Sequence, residues 1–206
     1  MPPRVRNTPL AARLLASLAL LAMPLVVAPA APANKPAASD AKARKGVAIA
    51  KRMVRYARQE LSRGVHEIPD GSNRGPRISY QARGYGPYQG STGAYGEPWC
   101  ASFGDWALKR IAGHGFGSTN DAYVPTIAEY AQQHGWLQAK PRVGAFVVFL
   151  TAAGQLGSAY HIGYVIRLVG SSGVMTVEGN AGNAVREVYR TFNSYHMVYV
   201  YLPGLA

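Results

Sequence analysis

The chain reads as an α+β domain, with helices packed on an antiparallel β-sheet, and three observations predict it. Apolar residues recur at helical spacing in three stretches between residues 47 and 134. Four β-branched and aromatic runs follow, between residues 143 and 202, divided by Gly and Ser turns. Helices that come first and strands that come afterwards are the pattern of segregated layers.

The elements are justified in order. Residues 1–30 carry Arg4, Arg6 and Arg13 ahead of an apolar run from Leu14 to Ala28, then an Ala28-Pro29-Ala30 pattern. That is the layout of a secretory signal peptide, with cleavage expected after Ala30 and Ala33 as the second choice. Pro24 interrupts the run, and a spanning helix wants about 20 apolar residues, so no membrane span is expected after cleavage. The expected location is secreted or cell wall. A mature chain of about 176 residues suits one domain with a modest core.

Residues 31–45, APANKPAASDAKARK, are Ala, Pro and Lys rich and are expected to form a flexible basic leader. From Val47 the positions Ile49, Ala50, Met53, Val54, Ala57 and Leu61 mark a helix that Gly64 stops. The long Gly, Pro, Ser and Tyr rich stretch to Pro98 reads as loop, with a short helix around Ile78 to Arg83. A loop of that length inside a domain is more often functional than not. A second helix is expected from Pro98, with Cys100, Phe103, Ala107 and Ile111 on one stripe and Gly113 as its stop. A third covers Thr126 to His134 and ends at Gly135. The strands are placed at 143–150, 161–169, 173–180 and 195–202.

Composition narrows the function classes. Hydrophobic residues make up 48% of the chain, which favours a packed fold over disorder. The formal charge of +12 is uneven: residues 35–63 hold nine Lys or Arg against Asp40 and Glu60, whereas residues 64–206 hold ten against eight acids. Such a run is either a solvated helix face or an adhesive for a polyanion. For an exported protein, anionic wall polymers such as teichoic acid, or anionic lipid, come before nucleic acid.

One cysteine cannot form an internal disulfide, and unpaired thiols in exported proteins are oxidised unless buried or useful. Cys100 is expected at a helix start, where unpaired N–H groups stabilise a thiolate. Position alone leaves two readings open, a nucleophile or a small buried hydrophobe. A thiol hydrolase also needs an imidazole and a polar group to orient it. Of the five histidines, His161 opens a strand and has Gly163 on its own face, leaving space beside the ring for substrate. In the following strand Glu178 and Asn180 share a face by the period of 2, and in an adjacent antiparallel pair both reach the imidazole. Asn180 and Asn183 also suit a turn, so this pair has an ordinary reading too.

PWCASFGDW, HIGYVI and TVEGN, in that order, resemble the three motifs of the CHAP domain, the cysteine, histidine-dependent amidohydrolase/peptidase family of bacterial cell-wall hydrolases. HEIPDGSNRGPRI is similar to a segment that precedes the cysteine helix in bacterial members. The resemblance spans residues 46–206 as one catalytic domain and implies a papain-like α+β fold. It implies Cys100 as nucleophile, His161 as general base and then acid, and Glu178 as the group orienting the ring, with Asn180 assisting or replacing it. One departure is Ala145, which stands where such domains carry Asp. The implied substrate is peptidoglycan, cut at the muramoyl-alanine amide or in the stem or cross-bridge peptides.

Tyr88, Tyr95 and Trp99 are candidates for a cleft wall, or alternatively for a packed cover over the core. No cofactor is expected. Asp70 and Asn73 lack the ligand spacing of a calcium loop, and no HExxH or Cys/His cluster suggests zinc. Two other functions fit the same residues: a non-catalytic wall-binding or effector module that keeps the fold, and thiol chemistry on a different amide.

Overall fold

A computed structural model describes residues 38–79 and 86–202. All of them belong to one unit, residues 36–206. The expected signal peptide and the start of the leader lie outside the described residues.

The first element is α1 (Ala38–Ser62). It begins nine residues ahead of the expected Val47, so residues 38–45 of the predicted flexible leader are helical. Ala, Lys and Arg are strong helix formers, and Asp40 in the first turn complements the helix dipole. Ala50, Met53, Ala57 and Glu60 form its buried line. The loop that follows holds a short helix, α2 (Pro87–Thr92), that the sequence did not announce. The helix expected at Ile78–Arg83 is not seen where it can be judged: Ile78 is in a turn, Ser79 bridges to Gly75, and residues 80–85 are outside the described set. The local Pro and Gly content masked α2, whose only signal is Pro87 at its first position.

The central helix is α3 (Cys100–Ala112), capped by Gly113 at φ 82° as expected. It starts two residues later than predicted from Pro98, with Trp99 as the flanking residue. α4 (Val124–Gln133) completes the helices, with Pro125 in its first turn.

The sheet is antiparallel throughout: β1 (Leu137–Gln138), β2 (Phe146–Leu150), β3 (Ala159–Val169), β4 (Gly173–Glu178), β5 (Arg186–Thr191) and β6 (His196–Val200). Their spatial order is β1-β6-β2-β3-β4-β5. All four expected strands are present, and two were missed. β1 is two residues long, and β5, REVYRT, is half-exposed and highly charged.

Every residue of β2 is buried, and its side chains alternate between two apolar clusters. Phe146, Val148 and Leu150 pack with Ile162, Tyr164 and Val177 against the helices. Val147 and Phe149 turn to a smaller cluster with Ala145, Val165, Val174 and Tyr199. Ala145, at the place where the resembled family carries Asp, is thus a fully buried apolar residue. α3 is held to β3 by Tyr164, whose hydroxyl lies 3.1 Å from both the Phe103 and Gly104 carbonyl oxygens. At Gly179, a Cβ would fall 2.6 Å from Phe103 Cβ, so only glycine lets the end of β4 approach the first turn of α3. The helix start is therefore fixed against the two strands that carry His161 and Glu178.

Candidate active site

Cys100 is the first residue of α3 and is 7% exposed. No side chain caps the helix, so the N–H groups of its first turn point outward without a side-chain partner. His161 is the third residue of β3, paired with Phe149 of β2. Its Nε2 lies 2.8 Å from Glu178 Oε2. Cys100 lies close enough to the same ring to raise its pKa.

The pairing of β3 with β4 sets this geometry. Gly163 is the direct cross-strand partner of Glu178, and His161 is two residues along on the same face. The carboxylate reaches the imidazole diagonally, over the glycine. A Cβ at Gly163 would sit 2.5 Å from Glu178 Cγ. The space expected there for substrate is filled by Glu178 instead.

Glu178 is fully buried. Thr176 donates its hydroxyl to Oε1 at 2.5 Å, Arg190 donates Nε to Oε1 at 2.8 Å, and a second Arg190 nitrogen is paired with Oε2. The guanidinium is itself held between the rings of Phe149 and Tyr195, 4.8 and 4.9 Å from their centroids, and donates to the Tyr195 hydroxyl at 3.0 Å.

The electrostatics follow from these contacts. Burial favours the neutral acid at Glu178, but the hydrogen bonds from Arg190, His161 and Thr176 overcome it and hold the pKa at about 2. Burial also disfavours a charged imidazole, yet Cys100 and Glu178 outweigh it and push His161 up to about 9. At neutral pH the ring holds a proton between a sulfur and a carboxylate.

Beside Cys100 opens a cleft of about 590 Å³, lined by Glu97 and Pro98 of the loop before α3, by Tyr123 and Val124 at the start of α4 and by Tyr160 of β3. Tyr123 and Tyr160 are 55% and 52% exposed. Glu97 is the one charged residue among those lining it.

Of the residues singled out in the sequence, Cys100, His161 and Glu178 come together and Asn180 does not. β4 ends at Glu178, and Asn180 adopts φ 58°, so the strand alternation that put both on one face no longer applies. Asn180 donates its amide to Asn73 Oδ1 at 3.2 Å, joining the end of β4 to the loop after α1.

Tyr88 and Trp99 correct the cleft-wall expectation: both are fully buried and take the alternative of a packed cover. They stack on each other at 5.7 Å, Trp99 donates Nε1 to buried Glu67 at 2.9 Å, and the Tyr88 hydroxyl is bonded to buried Glu60. Each aromatic thus brings its polar edge to a carboxylate inside the fold. Tyr95 is 39% exposed in the loop before α3 but does not line the cleft.

Arg190, Thr176, Tyr123 and Tyr160 were missed. Thr176 had a signal, being two residues before Glu178 in one strand. For Arg190 the only hint was a charged residue inside an alternating run. Among the described residues, no group of three or more His, Cys, Asp or Glu is placed to hold a metal ion. No helix among them is long and apolar enough to cross a membrane.

No protein-family profile and no curated protein sequence matches the chain. Among solved structures, it is similar to an N-acetylmuramoyl-L-alanine amidase from Staphylococcus aureus, with 17% identity and a TM-score of 0.36. The likeness covers 64% of this chain, and the chain spans 36% of the length of that one. The functional reading below stands on the side chains of the site.

Proposed function

We propose that the protein is an exported cysteine amidohydrolase of the CHAP type that cuts amide bonds in peptidoglycan, either the muramoyl-alanine link or a stem or cross-bridge peptide bond. The single observation that carries this reading is His161, bonded through Nε2 to the buried Glu178 and set close enough to Cys100, at the start of α3, for the sulfur to raise its pKa. That is the constellation thiol hydrolysis requires: nucleophile, proton carrier and orienting carboxylate.

In mechanism, the proton given up by Cys100 already rests on His161 near neutrality, and the sulfur attacks the amide carbonyl. N–H groups of the first turn of α3 stabilise the oxyanion that forms. His161 then hands its proton to the leaving amine as the C–N bond breaks, leaving a thioester on Cys100. Water, deprotonated by the same ring, attacks the thioester and restores the thiol. Glu178 stays ionised throughout, since its partners hold its pKa far below neutrality. Its task is to keep Nε2 protonated and Nδ1 turned to the sulfur.

Peptidoglycan fits an exported amidohydrolase because both its muramoyl-alanine links and its stem peptides are amides. Tyr123 and Tyr160, exposed at the cleft, supply ring faces of the kind that lie against sugars or peptide. The test is zymography on purified peptidoglycan with the wild-type and Cys100→Ala proteins, followed by mass spectrometry of the muropeptides to name the bond. Clearing by the wild type alone is expected. Equal clearing by both proteins would end the reading.

A further inference from the structure

The outward face of α1 is built differently from an ordinary solvated helix. Arg44, Lys51, Arg55 and Arg58 all fall within about 60° on a helix of 3.6 residues per turn, on the side away from the buried line Ala50, Met53, Ala57 and Glu60. Lys45 and Arg52 flank them. All six are exposed, and among the described residues none of them makes an ion pair, hydrogen bond or ring contact.

A solubilising face mixes signs and places Glu or Asp four residues from Lys or Arg; on this face only Asp40, four residues before Arg44, does so. Here Lys51 and Arg55 are four apart and Arg55 and Arg58 three apart, with like charges that repel along the helix. The one acid in the last half of α1, Glu60, is buried and already satisfied by Arg63, Arg77 and Tyr88. It neutralises nothing on the outer face. A shallow groove lined by Lys51, Val54, Arg55 and Arg58 runs along this side.

We propose that the outer face of α1 is a docking surface for a linear phosphodiester polyanion of the cell envelope. The cations lie in a line about 21 Å long, from Arg44 to Arg58 at about 1.5 Å per residue, which suits a chain of phosphates. A bilayer is the poorer fit, because an interfacial helix sinks its apolar line into lipid and the apolar line of α1 faces the core. The proposal does not depend on the thiol chemistry. Its choice of an envelope polymer over nucleic acid rests on the expected export signal.

The test titrates poly(glycerol phosphate) into the full chain at low and moderate salt. One variant carries Arg44→Gln, Lys51→Gln, Arg55→Gln and Arg58→Gln, a change that keeps helix propensity. A second loses the same charge elsewhere through Arg74→Gln, Lys140→Gln, Arg167→Gln and Arg186→Gln. Circular dichroism verifies that α1 persists, and Cys100 alkylation verifies the site. The expected result is wild-type binding that weakens with salt, an affinity loss of at least about tenfold in the first variant and little loss in the second. Equal loss in both would reduce the effect to net charge and overturn the proposal. So would the absence of wild-type binding at low salt, or tighter binding to phosphatidylglycerol vesicles or duplex DNA than to the polymer.

Discussion

Arg190 grips Glu178 through two nitrogens, one on each carboxylate oxygen, while His161 bonds the same carboxylate from the other side. A buried anion is thereby balanced by a cation from β5, and the imidazole is oriented by a group that cannot drift. Breaking such a pair from one side strands the other charge. Arg190→Ala is expected to cost about 3–5 kcal/mol of stability, read as a lower urea midpoint, whereas Arg167→Ala on the exposed side of β3 stays within about 0.5 kcal/mol. Unchanged stability in Arg190→Ala would refute the role given to the pair.

The pH dependence has a definite sign. Glu178 is held at about 2, below its ordinary 4.5, so its contribution to stability is complete above 4.5 and is lost as pH falls toward 2. Urea unfolding between pH 6 and 2 is expected to show that loss in the wild type and a flatter profile in Glu178→Gln. His161 runs the other way. Its pKa near 9 lies above the ordinary 6.5, so its contribution is complete below 6.5 and fades as pH rises through 9.

Both partners of His161 raise its pKa, so removing either is expected to lower it. Imidazole NMR titration of Cys100→Ala and Glu178→Gln checks this without any substrate. A His161 signal that titrates at the same pH in all three proteins would show that the ring does not feel its neighbours.

As general base and acid, His161 is expected to contribute about 10²–10⁴ to peptidoglycan turnover. His161→Ala should lose that factor and also slow Cys100 alkylation by iodoacetamide at neutral pH. Alkylation at the wild-type rate would separate the ring from the thiol.

Gly163→Ala tests the close approach of β3 to Glu178. The added methyl falls 2.5 Å from Glu178 Cγ, so the carboxylate must move or the strands must part. We expect about 1–3 kcal/mol of destabilisation and a drop in kcat larger than in KM. Full activity would mean that the placement of Glu178 is not critical.

Tyr88→Phe removes a hydroxyl that serves Glu60 in the core, and Tyr160→Ala removes a ring at the cleft. The first is expected to lower stability by about 1–3 kcal/mol and leave KM unchanged, the second to raise KM with little effect on stability. The reverse pattern would restore Tyr88 to the cleft wall.

The sequence by itself determined the helix-then-strand order, the four principal strands and the stop at Gly113. These are read from periodicity, glycine punctuation and residue types at short range, where local chain geometry dictates the outcome. Only the tertiary structure decided what lies across the chain from what. Asn180 left the site because β4 ends at Glu178 and Asn180 turns at φ 58°, which is the turn reading that the letters had left open beside the strand one. Tyr88 and Trp99 became core because the buried carboxylates Glu60 and Glu67 receive their polar edges from α1 and the loop after it. Arg190 entered the site because β5 pairs with β4, and its long side chain runs back along the sheet to Glu178. Partners that many residues of chain separate are chosen by sheet register and by the balancing of buried charge, and neither quantity exists until the chain has folded.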